Sequence, residues 1–315
     1  MKFQKKKLKI LVLSSLLSNV SYSDEIDITY CDTTQEIQQC IDSSKSGHIV
    51  LSAGLHLTDG ILLGSNTKLV IPKGAILKLS DDAILNPKAF GGTANYVIAS
   101  IGDPDNYITN IEIIINGEVD GNRDKHPYEK GGVEGIDLKY VENSIISGNG
   151  VVHSANGDGV DLDAVRNIKV ENITVRDNND SGIHFGSPRP IIGSHGNLVY
   201  NVTSINNGYR IGKSGFDLSW PNPHGVTYVN CKAIDNYRNY KIEGVGGVIY
   251  NSKSLELDRK VIEKDDFSGA SYVYMNGEDM TNQSFISQRK MILLKRDIKK
   301  LLGMEYQKHL DGVEY

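Results

Sequence analysis

The chain has 315 residues, 39% of them hydrophobic, with 32 glycines, 8 prolines and a formal net charge of -5. That length can bury a full core as one large domain or two smaller ones, and many glycines with few prolines suit short strands joined by tight turns. The charge balance lacks the basic footprint of a nucleic-acid-binding protein, and any anionic substrate would need local Lys, Arg or His.

Lys2, Lys5, Lys6, Lys7 and Lys9 precede an apolar run from Ile10 to Leu17, too short to anchor in a bilayer. Ser21-Tyr22-Ser23 then supplies small residues before a cleavage point. This pattern predicts a signal peptide over 1–23, a secreted or periplasmic mature chain and no later membrane span. A main domain is expected over 24–280 and a C-terminal helical cap or tail over 281–315. Residues 32–43 read as a short helix with Asp32 or Thr33 as N-cap, placed to cover the open end at which the strand array begins. Cys31 and Cys40 lie around it. Export permits a disulfide between them, although spacing alone leaves the pair bonded or free. Cys231 reads as a small core residue.

From His48 to Leu85 short apolar runs alternate with glycine turns: Ile49–Leu51, Ile61–Leu63, Leu69–Ile71 and Ile76–Leu79. These predict strands of four or five residues. Residues 87–105 are less regular and are expected to form a loop or lid. Ile111–Ile115 restarts the pattern, and 123–132 reads as a charged insertion projecting from a turn.

Five near-copies of one strand come next: Gly135-Ile-Asp-Leu-Lys139, Gly159-Val-Asp-Leu-Asp163, Gly182-Ile-His-Phe-Gly186, Gly215-Phe-Asp-Leu-Ser219 and Asn239-Tyr-Lys-Ile-Glu243. Apolar residues at the second and fourth places have the period of a half-buried strand. Recurrence every 23 to 33 residues marks a solenoid. If each copy is one rung, its third residues stack into an outward row: Asp137, Asp161, His184, Asp217 and Lys241. Asn172, Asn201, Asn230 and Asn251 form a second series, suited to a ladder of stacked amides. After Asn251 the period fades, and 287–302 reads as an amphipathic helix with Met291, Leu294, Ile298 and Leu301 on one side.

Rungs of this length with an asparagine ladder resemble the right-handed parallel β-helix of the pectin-lyase-like superfamily, over roughly Ile49 to Asn251. The resemblance implies an all-β, single-stranded solenoid with an N-terminal helical cap and a C-terminal helix. The order of rungs is most similar to polygalacturonase-type glycoside hydrolases. Asn156-Gly-Asp-Gly-Val-Asp-Leu162 is similar to that family's Asn-Thr-Asp-Gly strand, which puts Asp158 at a family catalytic aspartate. The next rungs depart from the family: its Asp-Asp reads Asp180-Ser181, its Gly-His-Gly reads Lys213-Ser-Gly215, and its Arg-Ile-Lys reads Lys241-Ile-Glu243. Other members of the superfamily are lyases, epimerases, phage depolymerases and noncatalytic surface proteins.

The expected partner is therefore a polysaccharide. Asp161 and Asp217, two rungs apart with His184 between them, would have backbones about 9.6 Å apart. Side-chain rotation brings their carboxyls into the range of an inverting glycosidase, with Asp158 enlarging the acidic patch. The competing chemistry is lyase or C5-epimerase action on a uronic acid. Lys241, Arg210, Arg189 and His184 would then serve its carboxylate, and Tyr209 would donate a proton. Trp220, directly after the fourth copy, suits stacking on a sugar ring. A noncatalytic glycan-binding surface protein is the third reading. No residues have zinc-ligand spacing, and calcium between Asp161 and Asp163 is compatible but not required, so no cofactor is expected.

Overall fold

The computed structural model describes residues 27–85, 95–127, 132–186, 194–210, 212–218, 225–244 and 246–279. Within them the chain winds into successive coils, and each full coil lays one short strand on each of three parallel sheets. One sheet holds, in spatial order, Ile61–Leu62, Asn95–Ile101, Val133–Lys139, Val160–Asp163, Ile183–Gly186, Ser214–Leu218 and Arg238–Ile242. The second runs from Thr29–Cys31 to Ala270–Met275 and the third from Gly54–Thr58 to Lys232–Ile234, joined where Gly247–Leu255 pairs with both. The pairings are parallel except the last, where Ala270–Met275 turns back on Glu278–Asp279. This is a right-handed parallel β-helix, the hand that parallel crossovers adopt.

The predicted strands of the first coils are present as His48–Leu51, Ile61–Leu62, Lys68–Ile71 and Ala75–Leu79. Three expectations change. Residues 95–101, read as part of a loop, form a strand of the first sheet in which Val97, Ile98, Ala99 and Ser100 are all buried. Burial of both faces removed the alternation that would have marked it. His126, expected on a projecting insertion, is buried with its Nε2 2.6 Å from the Ser80 carbonyl. The coil pattern also continues past Asn251, since Ala270–Met275 pairs with Gly247–Leu255. The signal peptide of 1–23 and the helix of 287–302 lie outside the described residues.

A helix does sit at the N-terminal end, over Ile37–Ser43. It starts later than Asp32 or Thr33 because Asp32 spends its carboxylate on the Thr34 amide at 2.8 Å, an Asx turn. Glu36 caps the helix instead, accepting from the amides of Gln38 at 3.0 Å and Gln39 at 2.7 Å. Ile37, Cys40 and Ile41 enter the core, and Cys31 and Cys40 are joined by a disulfide. Gln38 also covers the exposed strand edge at Leu62: its Oε1 accepts from the Leu62 amide at 2.7 Å, and its Nε2 donates to the Leu62 carbonyl at 3.2 Å. Backbone groups that would otherwise pair with another chain are thereby satisfied.

Apolar residues from all three sheets fill the interior; Phe216 stacks on Tyr240 one rung away, 5.1 Å between ring centroids. The asparagine series read from the sequence sits at a corner in left-handed backbone (φ 48° to 60°), which Asn tolerates better than other side chains. Asn201 donates to Asn172 at 2.8 Å and Asn251 to Asn230 at 2.7 Å. A second, buried ladder was not visible in the repeat: Asn178 donates to Asn207, Asn207 to Asn236 and Asn236 to Asn239, at 3.0, 3.0 and 2.9 Å. The leading glycines of the copies make room for it. A Cβ on Gly159 would fall 2.6 Å from Asn178 Nδ2, and one on Gly215 would fall 2.5 Å from Asn236 Nδ2.

Candidate active site

Register on the first sheet fixes three columns of side chains that point away from the core. Asp137 pairs with Asp161, Asp161 with His184, His184 with Asp217, and Asp217 with Lys241, so the predicted row is continuous. Two residues along, Lys139 pairs with Asp163 and Asp163 with Gly186. On the other side, backbone bonds from Gly135 to Asp158, Gly159 to Ser181 and Gly182 to Ser214 line up Glu134, Asp158, Ser181 and Ser214.

The row was expected on a solvated face, and the structure corrects this. Asp137 is 1% exposed, Asp161 6% and Asp217 0%. His184, Asp158 and Asp180 are the half-buried members through which solvent reaches the cluster. Strands about 4.8 Å apart crowd the carboxyls, and with so little water around them the charged form is costly.

Asp158, Asp161 and His184 converge, each offering one polar atom within 4.8 Å of the others. His184 Nδ1 lies 2.8 Å from Asp161 Oδ1 and 3.5 Å from Asp158 Oδ2. Burial alone would neutralise the imidazole, but the charge and hydrogen bond of Asp161, with Asp158 and Asp217 behind it, push its pKa up to about 10. Asp161 gains in return: burial opposes its charge, yet His184 outweighs burial and holds it below the usual carboxylate range. Asp158 goes the other way. Burial raises it to about 8 despite His184, while its Oδ1 accepts from the Ser181 amide at 2.5 Å. The backbone amide of Asp158 itself donates to Glu134 Oε2.

The remaining acids follow burial. Asp137 is raised to about 8 and Asp163 to about 7, with Asp161 adding repulsion in both cases. Glu134 is raised well above its ordinary value, mainly by burial and then by Asp158. Asp180 rises only to about 6, because Arg210 and Lys213 offset much of its burial. Burial works against the charge of Lys213, but Asp217, Asp158 and Asp180 outweigh it and raise its pKa. Lys139 lies 3.9 Å from Asp163 Oδ2.

The expected substrate-binding residues divide. Lys241 stacks on Asp217 in register, but its ammonium is 3.1 Å from Glu243. Arg210 is exposed and stands beside Asp180. Tyr209 is committed elsewhere: its hydroxyl lies 2.9 and 3.0 Å from the carbonyls of Asp235 and Lys260, and Arg259 covers its ring. Arg189 and Trp220 lie outside the described residues. Sequence reasoning passed over Glu134, Asp180 and Lys213 as site members. The signal was available once register is known: Glu134 lies three places before Asp137 and so falls in the neighbouring column, and Asp180 and Lys213 directly precede that column's Ser181 and Ser214. Among the described residues, Asp158, Asp161 and His184 are the group spaced to hold a metal ion. Nδ1 of His184 is committed to Asp161, so an ion would have to displace a proton held to about pH 10.

No protein-family model matches the chain, and no curated protein matches it in sequence. Solved structures do match in shape. ORF18 of Geobacillus virus E2 superposes with a TM-score of 0.53 at 14% identity, over 74% of this chain and 49% of that one. PfbA, a surface adhesin of Streptococcus pneumoniae, gives a TM-score of 0.51 at 13% identity, over 71% and 59%. The polygalacturonase of Erwinia carotovora ssp. carotovora gives 0.47 at 14%, over 79% and 84%. The fold is a parallel β-helix. This chain spans about half the length of the virus protein and about three-fifths of the adhesin, and at these identities the likeness is one of fold. No helix among the described residues is long and apolar enough to cross a membrane.

Proposed function

We propose that the chain binds a polysaccharide along the first sheet and hydrolyses a glycosidic bond, with Asp158 as general acid and Asp180 as general base. The carrying observation is that the two partly exposed acids of the cluster sit on opposite sides of neutrality, Asp158 at about 8 and Asp180 at about 6. Hydrolysis of an acetal needs one carboxyl that still holds its proton and one that has lost it. Asp158 is kept protonated by burial, and Asp180 is kept ionised by Arg210 and Lys213. The Ser181 amide, next in sequence to Asp180, holds the Asp158 carboxyl in place.

Asp161 and His184 form a salt bridge that fixes the floor of the site and presents a cationic ring edge to sugar oxygens. Asp217, fully buried and 3.4 Å from Ser181 Oγ, supports this floor instead of meeting substrate. Elimination or epimerisation is less well served, because Tyr209 and Lys241 are engaged with other groups. The disulfide between Cys31 and Cys40 favours an oxidising compartment, in keeping with a secreted or periplasmic protein.

The test is to incubate the protein with neutral and uronic polysaccharides and follow both reducing ends and the absorbance of unsaturated sugars. Reducing ends without absorbance are expected, with a rate that is bell-shaped in pH between about 6 and 8. Unsaturated products would replace hydrolysis by elimination. Binding without any product would make this a glycan-binding surface protein.

A further inference from the structure

The charges around the acid row speak to the kind of sugar it accepts. Among the described residues, Asp137, Asp158, Asp161, Asp163, Asp180 and Asp217 gather within three rungs of one another. Among the described residues, the cations beside them are already placed against carboxyls. His184 Nδ1 is 2.8 Å from Asp161, and Lys241 Nζ is 3.1 Å from Glu243. Lys139 Nζ is 3.9 Å from Asp163 on a buried side chain. Lys213 stands among Asp217, Asp158, Asp180 and Asp161, so an anion reaching its ammonium would enter a ring of four acids. Arg210 faces Asp180.

A uronic acid brings a carboxylate that must leave water. Without a cation to meet it, that transfer is opposed by desolvation and by the ionised carboxylates of Asp161 and Asp180. A sugar hydroxyl meets the opposite reception, because an ionised carboxylate only accepts hydrogen bonds and a hydroxyl can donate one. One carboxylate oxygen at the half-buried mouth of the cluster has that capacity unused among the described residues: Asp180 Oδ1 is without a hydrogen-bond partner.

We infer that the sugar unit seated against this row is uncharged, a neutral hexose or an N-acetylated sugar held by hydroxyl-to-carboxyl hydrogen bonds, and not a uronic acid. This departs from the substrate class that the resemblance to polygalacturonases suggests, and it rests on the polysaccharide-binding reading of the site.

The experiment uses the full chain and matched polymer pairs: polygalacturonan, glucuronan and mannuronan, each beside its carboxyl-reduced form. Affinity electrophoresis reports binding and reducing-end release reports cleavage. The His184 ring signal in NMR, followed with galactose, N-acetylglucosamine and galacturonate, reports entry to the site. The expected result is that every pair engaged favours the reduced polymer by about tenfold or more, with little response to salt. Cleavage of a uronan as good as or better than its reduced form overturns the inference and leaves the hydrolase reading intact. Binding of reduced polymers without new reducing ends sustains the inference and removes the hydrolase reading. If no polymer binds and no sugar moves the His184 signal, both fall.

Discussion

Asp137 shows how strongly place overrides residue type. It belongs to the same repeat as Asp161, one rung away, yet one acid is held ionised and the other is raised to about 8. The difference is His184, which pairs with Asp161 across the next rung and leaves Asp137 with a buried oxygen that has no hydrogen-bond partner. Asp137→Asn should therefore stabilise the protein at alkaline pH. An amide removes the cost of ionising a buried acid, so thermal unfolding at pH 9 should shift upward by several degrees, with little change at pH 5. A lower midpoint at pH 9 would mean that the carboxylate has a partner in the native state. Asp158 makes the opposite prediction: Asp158→Asn should lower turnover about 100-fold or more with an unchanged circular dichroism spectrum. Unchanged turnover would remove it from the acid role.

At the scale of the element, the coils are held as much by amides as by apolar packing. Asn207 is fully buried; its Oδ1 accepts from the amide and the side chain of Asn178, and its Nδ2 donates to Val175 O and to Asn236. Asn207→Leu keeps the volume but leaves several buried polar groups unpaired, each costing about 1–3 kcal/mol. The expected loss is about 3 kcal/mol or more, measured by urea unfolding, and a loss below about 1 kcal/mol would show that the ladder is dispensable. The glycines of the strand copies belong to the same device. In the fold Gly159, Gly182 and Gly215 face the ladder, where a Cβ would fall 2.6, 2.9 and 2.5 Å from the amide nitrogens of Asn178, Asn207 and Asn236.

For the whole molecule, the buried acids tie stability to pH in one direction. The folded pKa values of Asp137 and Asp163, about 8 and about 7, lie above the ordinary value of 3.8 expected on unfolding. Between about pH 4 and 8 the unfolded chain therefore gives up protons that the native chain keeps, and stability falls as pH rises. His184 acts in the same sense, since its contribution is complete below its ordinary 6.5 and is lost on the way to about 10. Asp161, held low, loses its contribution only as pH falls below the ordinary carboxylate range. The unfolding temperature should be highest near about pH 5 and decline steadily to pH 10. A maximum at pH 8 or above would contradict the burial of these groups.

The repeat of Gly-apolar-Asp-apolar units determined the solenoid, the register and the membership of the row, because strand alternation and rung stacking are both periodic and periodicity is written in the chain. Asp137, Asp161, His184, Asp217 and Lys241 could be aligned on that ground alone. Two things depended on tertiary structure. The Asn95–Ile101 strand is buried on both faces and so carries no alternation to read. The chemistry of the row depended on how much water each carboxyl retains and which cation reaches it. Desolvation and Coulomb energy are set by distances between residues far apart in sequence, and only the wound coil fixes those. That is why Asp158 and Asp180, outside the row in sequence and half-buried in the fold, replaced Asp161 and Asp217 as the proposed acid and base.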